Sequence, residues 1–167
     1  MTECNAPDDA VGFVERMGLF WEAEGFPRIA GRIFGFLFLQ PDACSLDELA
    51  DALAVSKASV STDARRLEQY GLLERQSRPG DRRDYYGIAP DVTARMVAMR
   101  RERIARFRDM LACDATAGAL HPVVRDRLRA MDVVHRHLDT ALDAILRELE
   151  SEGLASTAIA PNHATRS

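Results

Sequence analysis

The sequence predicts a mainly α fold with a small β-hairpin wing, a winged helix-turn-helix accompanied by long terminal helices that serve dimerisation. Three observations predict it. Two short amphipathic helical segments follow each other after residue 44, each opened by a serine that can cap it, Ser45 and Ser56. Directly behind them the turn Pro79-Gly80 separates two short runs, 72–77 and 84–88, the second rich in aromatic and β-branched residues. From Asp91 onward apolar residues recur at helical spacing nearly to the end of the chain.

Taken in order, residues 8–24 place Val11, Val14, Leu19, Phe20 and Trp21 among acidic positions, a rough helical pattern interrupted by Gly12 and Gly18. Gly25-Phe26-Pro27 breaks it, and proline suits the first turn of the next helix because its missing N–H would be unpaired there in any case. That second helix, 28–39, is apolar nearly all round, the pattern of a buried central helix. Its apolar run 33–39 is far too short for a bilayer, so the GxxxG of Gly31 and Gly35 is read as close helix packing inside the domain. Ser45, with Glu48 three residues on, forms a capping box for a third helix whose inward face is Leu46, Leu49, Ala50 and Leu53. After a short turn at Ala54-Val55, Ser56 caps a fourth helix that runs to about Tyr70 and is closed by Gly71. Val60, Ala64 and Leu67 share one face of it, while Ser59, Ser61, Thr62, Arg65, Arg66 and Gln69 occupy the others.

A fifth helix is predicted over 91–113, arginine-rich in its first half. The sixth starts at Pro122 and carries Val124, Leu128, Met131, Leu138, Leu142, Ile145 and Leu149 at intervals of three, four or their sums, a coiled-coil-like stripe that calls for a partner. Residues 151–167 are small and polar without period and read as a frayed tail. The expected organisation is thus an N-terminal dimerisation helix over 1–24, a winged helix-turn-helix over 25–90, dimerisation helices over 91–150, and the tail.

Charge points to a partner. The chain carries −4 overall, yet residues 56–108 hold 13 Lys/Arg against 7 Asp/Glu, so a basic segment sits in an acidic remainder. A basic patch on an acidic body suits a polyanion. The exposed side of the fourth helix offers Lys57, Ser59, Ser61, Thr62, Arg65 and Arg66 to base edges and phosphates of a major groove, and the hairpin offers Arg78, Arg82 and Arg83 to the adjacent backbone or minor groove. Asp81 and Asp84 fit this reading, because an acid beside an arginine holds the guanidinium in one orientation. The alternative is a winged-helix protein-interaction module without sequence-specific DNA binding, which would have no reason to keep these cations together.

These residues resemble the MarR-like winged-helix transcriptional regulators, and within them the GbsR-like branch, through residues 25–35 (GFPRIAGRIFG), 45–50 (SLDELA), 56–61 (SKASVS) with 67–75, and 79–86 (PGDRRDYY). The resemblance covers about residues 10–110. It implies a bacterial homodimeric repressor or activator whose terminal helices form the interface, with Phe13, Phe20, Leu128, Met131, Leu138, Leu142 and Ile145 at the contact. Some relatives in that branch look like sensors of choline or related osmolytes. Six of the seven phenylalanines and the only tryptophan precede residue 40, and Trp21, Phe26 and Phe34 are candidates for an effector pocket of cation–π type, against the plainer role of filling a core.

No cofactor or metal is expected. His135 and His137 are two apart and point to different sides of a helix, and neither HExxH, GxSxG nor a Gly-rich phosphate loop is present. The cysteines at 4, 44 and 113 lack a CxxC and read as reduced thiols. With no basic-then-apolar leader and no membrane-spanning run, a cytoplasmic location is expected.

Overall fold

The computed structural model describes residues 8–115 and 120–154. The chain divides into two compact units, the first ending at Val92 and the second beginning at Thr93. Cys4, the side chain of Cys113 and residues 155–167, where the frayed tail was expected, lie outside the described residues.

The first unit comprises α1 (Asp8–Ala23), α2 (Arg28–Phe38), β1 (Cys44–Ser45), α3 (Leu46–Leu53), α4 (Lys57–Gln69), β2 (Leu73–Ser77) and β3 (Asp84–Ile88). Helix α2 is its centre. Ala30, Ile33, Phe34, Phe36 and Leu37 are buried together with Leu49 and Leu53 of α3 and with Val60, Ala64 and Leu67 of α4.

The GxxxG of α2 meets α1 as the spacing predicts. A Cβ on Gly31 would stand 2.8 Å from the Met17 carbonyl oxygen, 2.8 Å from Trp21 Cβ and 3.0 Å from Gly18 Cα. On Gly35 it would stand 2.9 Å from Met17 Cβ. Backbone and Cβ atoms cannot swing aside as a side-chain tip can, so even one methyl forces the helices apart. We therefore expect Gly31→Ala to destabilise the unit by about 1–3 kcal/mol, the scale of an overpacked core. Thermal and denaturant unfolding check it; unchanged stability would show that the helices slide freely.

The caps also form where the sequence places them. Ser45 Oγ accepts from Glu48 N at 3.3 Å while Glu48 Oε2 accepts from Ser45 N at 2.7 Å. Ser56 Oγ accepts from Ser59 N at 3.2 Å, and Gly71 closes α4 at φ 69°. One turn is tighter than expected: Ala54 ends α3 in the left-handed region at φ 52°, a conformation that costs a residue with a Cβ. Holding it in place, Arg32 of α2 donates to the Leu53 carbonyl at 2.9 Å and pairs with Glu15 of α1 at 2.7 Å.

Two expectations are corrected here. The hairpin is part of a three-stranded antiparallel sheet in the order β1-β3-β2, with Cys44 opposite Tyr86 and Ser45 opposite Tyr85. A two-residue strand has no periodicity to read. Cys44, fully buried on that strand, is disulfide-bonded and not a reduced thiol.

The second unit is formed by α5 (Val92–Ala115) and α6 (Pro122–Ser151). His121 caps α6, its Nδ1 accepting from Val123 N at 3.3 Å, with Pro122 in the first turn. The two helices are joined by polar contacts. Arg101 pairs with Asp139 at 2.8 Å and Asp143 at 2.6 Å, and Arg108 with Asp139 at 3.3 Å and Asp132 at 3.5 Å. Between them Phe107 and His135 have ring centroids 4.5 Å apart. Rising numbers on α5 meet falling numbers on α6, so the pair is antiparallel.

This pairing resolves the single stripe expected on α6 into two rows. Leu128, Leu142 and Leu149 are half-buried on the row that includes Asp132, His135 and Asp139 and faces α5. Val124, Met131, Val134, Leu138 and Ile145 form an adjoining row that is exposed, Met131 at 47% and Leu138 at 45%. No residue of α6 is buried.

Candidate nucleic-acid interface

The exposed side of α4 exists because Val60, Asp63, Ala64 and Leu67 turn inward. Arg65 and Thr62 are exposed, and Ser59, Ser61 and Arg66 are half-buried. These groups differ in freedom. Lys57 Nζ pairs with Asp47 at 2.7 Å, Thr62 Oγ1 donates to the Ala58 carbonyl at 2.9 Å, and the Ser59 and Ser56 hydroxyls lie 2.8 Å apart. Arg65 makes no ion pair among the described residues.

Arg66 is tied to a residue that spacing alone does not single out. Its guanidinium donates to Asp63 Oδ1 at 2.8 Å, and Asp63 is buried. Burial lifts the Asp63 carboxyl above its ordinary value, an effect that Arg66 opposes. Asp63 shares the inward row with Val60 and Leu67, and an acid is the residue type that gives no sign of such burial. Its consequence is an Arg66 stem held along the helix.

The wing divides its cations more sharply. The β2–β3 register runs from Leu73 opposite Ile88 to Ser77 opposite Asp84, and Gly80 accepts φ 80° at the tip. Asp81 lies just past it. Its carboxylate accepts from Arg83 Nε at 2.9 Å, Arg83 Nη2 at 2.6 Å, the Arg83 backbone N–H at 2.9 Å and Tyr85 Oη at 2.8 Å. The Arg83 hydrogen bonds, with that of Tyr85, hold the Asp81 carboxyl far below the usual carboxylate range, and Asp81 in turn holds Arg83 more firmly charged than an ordinary arginine. Asp84 pairs instead with Arg75 at 2.6 Å.

Arg78, although exposed, is tethered to the sheet: it donates to the Ala43 carbonyl at 2.8 Å, and its guanidinium carbon lies 3.8 Å from the Tyr85 ring centroid. Arg82 is exposed and without an ion pair among the described residues. Of the three arginines between the strands, Arg78 is therefore tethered, Arg83 oriented and Arg82 free. Helix α4 packs on β2, so the cations of α4 and those of the hairpin belong to the same compact unit.

The aromatic candidates pack on each other. Trp21 lies 5.2 Å from Phe26 and 5.0 Å from Phe34 by ring centroids, Phe26 meets Tyr70 edge-on at 6.0 Å, and Trp21 and Phe34 are buried. On α1, Phe20 is exposed and Phe13 half-buried. Among the described residues no cluster of His, Cys, Asp or Glu has the makings of a metal site, and no helix is long and apolar enough to cross a membrane.

Residues 24–84, which include the two capped helices and most of the wing, match the family model described as MarR family. The HTH-type transcriptional regulator MmpR5 of Mycobacterium tuberculosis is 36% identical over 157 residues, a match covering 90% of this chain and 93% of that one. The chain belongs to the MarR family. A crystal structure of a transcriptional regulator, 34% identical, superposes with a TM-score of 0.71 over 86% of this chain and 99% of that one. The likeness to MmpR5 and to this regulator extends past the family model at both ends, so it takes in more of this MarR-family chain than α2 to the wing.

Proposed function

We propose that this MarR-family chain is a transcriptional regulator that binds double-stranded DNA sequence-specifically, as a homodimer on an inverted-repeat operator. The observation that supports it most is the wing, where Arg82 is free and Arg83 is exposed and held by a bidentate acid beyond the last pair of the sheet. On α4, Arg65 with Ser61 and Thr62 reads base edges, while Lys57, Ser59 and Arg66 meet the backbone. Relatives named as transcriptional regulators support the same reading, and a regulator of this class acts in the cytoplasm and needs no catalytic residue. The exposed row of α6 is the seam for a second copy, with Phe13 and Phe20 of α1 as further contacts.

The motifs at 25–35 and 79–86 support the narrower place in the GbsR-like branch. A small-molecule effector is placed at Trp21, Phe26 and Phe34, whose rings pack at 5.0–5.2 Å on each other.

Arg82→Ala with Arg83→Ala is the direct test. The double variant should bind duplex DNA more weakly whatever the sequence, and log affinity against log salt should flatten by roughly 0.9 for each phosphate that is no longer neutralised. Fluorescence anisotropy over a salt series reads both. Equal affinity and equal slope would show that the hairpin does not touch DNA and would favour a protein-interaction module.

A further inference from the structure

The wing holds a residue whose chemistry its DNA contacts do not use. Tyr85 is 2% exposed, yet it lies on the strand that leads directly away from the tip. Its ring and its hydroxyl do different things. The ring face takes the Arg78 guanidinium at 3.8 Å, and that same guanidinium donates to the Ala43 carbonyl just before β1. Ser45 of β1 pairs with Tyr85 itself, so the ring is fixed from its face and from its backbone. The hydroxyl then donates to Asp81 Oδ2 at 2.8 Å, the oxygen that also accepts from Arg83 Nη2.

We infer that Tyr85 is a positioning residue for DNA binding, which aims Arg83 at the duplex by holding Asp81, with Arg78 locking the Tyr85 ring in place. An exposed arginine–aspartate pair two residues apart on a turn has many arrangements of similar energy, and such pairs contribute little by themselves. A third donor on the carboxylate, delivered from a buried ring on the sheet, removes that freedom. Arg83 then reaches the DNA in one orientation, with less side-chain entropy left to lose on binding. Arg78, which spacing alone places among the DNA contacts, becomes the clamp between wing and sheet.

This rests on the reading of the hairpin as a DNA wing, and the experiment separates the two. Tyr85→Phe removes the hydroxyl but keeps the ring and its Arg78 contact, so the fold should survive, as unfolding of the full chain checks. Binding is measured on a fluorescent mixed-sequence duplex over a salt series for wild type, Tyr85→Phe, Arg83→Ala and the double variant. We expect Tyr85→Phe to weaken binding roughly 3- to 10-fold, the scale of one hydrogen bond, with the salt slope unchanged because no cation is removed. In the Arg83→Ala background the same change should have no effect, since nothing remains to aim. An equal loss in both backgrounds, or no loss from Tyr85→Phe in the wild type, would overturn the inference. Arg83→Ala binding as tightly as wild type with the same slope would overturn the wing reading itself.

Discussion

Leu138→Asp combined with Ile145→Asp is expected to convert the protein into a monomer that has lost its operator affinity. Both side chains lie on the exposed row of α6, which no described residue covers and which repeats every seven positions from Val124. A sustained seven-residue apolar row is the seam of a helix pair. Two carboxylates per chain put four uncompensated charges into that seam, and an unpaired buried charge costs about 3–5 kcal/mol. The dimer should therefore weaken by roughly 100-fold or more. Light scattering coupled to size exclusion reads the mass, and circular dichroism confirms that the helices persist. Leu142→Asp is the informative contrast, because Leu142 is half-buried on the α5-facing row and its replacement should lower stability first. A double variant that remains dimeric in dilute solution would show that this row is not the seam.

The second large effect is expected on the DNA. A two-fold dimer presents two copies of α4, and these enter successive major grooves on one side of the duplex only if their centres lie about 34 Å, or ~10 base pairs, apart. Inserting ~5 base pairs between the half-sites rotates one of them to the far face. Specific affinity should then fall toward the non-specific level, a loss of roughly 1,000-fold or more. Footprinting on operators with graded spacers measures it, and a full-turn insertion should recover part of the binding if the duplex bends. Equal protection of the original and half-turn-shifted sites would defeat the spaced-dimer geometry.

What could be read from the chain in advance was what depends on near neighbours. Ser45 with Glu48, Ser56 with Ser59 and the glycine after α4 are decided within one turn of backbone, so the helix starts and stops were legible. The GxxxG of α2 was legible too, because two glycines on one helical face leave a groove whatever lies against it. Strand β1 was not: two residues pair only because β3 lies beside them. Nor was Asp63, whose burial depends on the inward row and not on its own chemistry.

Sequence alone thus determined the mainly helical winged architecture and the gathering of cations on α4 and the hairpin, because capping, turn chemistry and periodicity act over a few residues. Only the tertiary structure decided how those cations differ and which apolar row of α6 is left open. Arg78, Arg82 and Arg83 are the same residue type within six positions, yet a carbonyl from before β1, a carboxylate and a buried tyrosine ring tether the first, orient the last and leave Arg82 free. On α6 the row that faces α5 carries Asp132 and Asp139 among its leucines, and Arg101 and Arg108 of α5 pair with them, which leaves the more apolar row open. Such choices are made by groups far apart in the chain that meet only once it has folded.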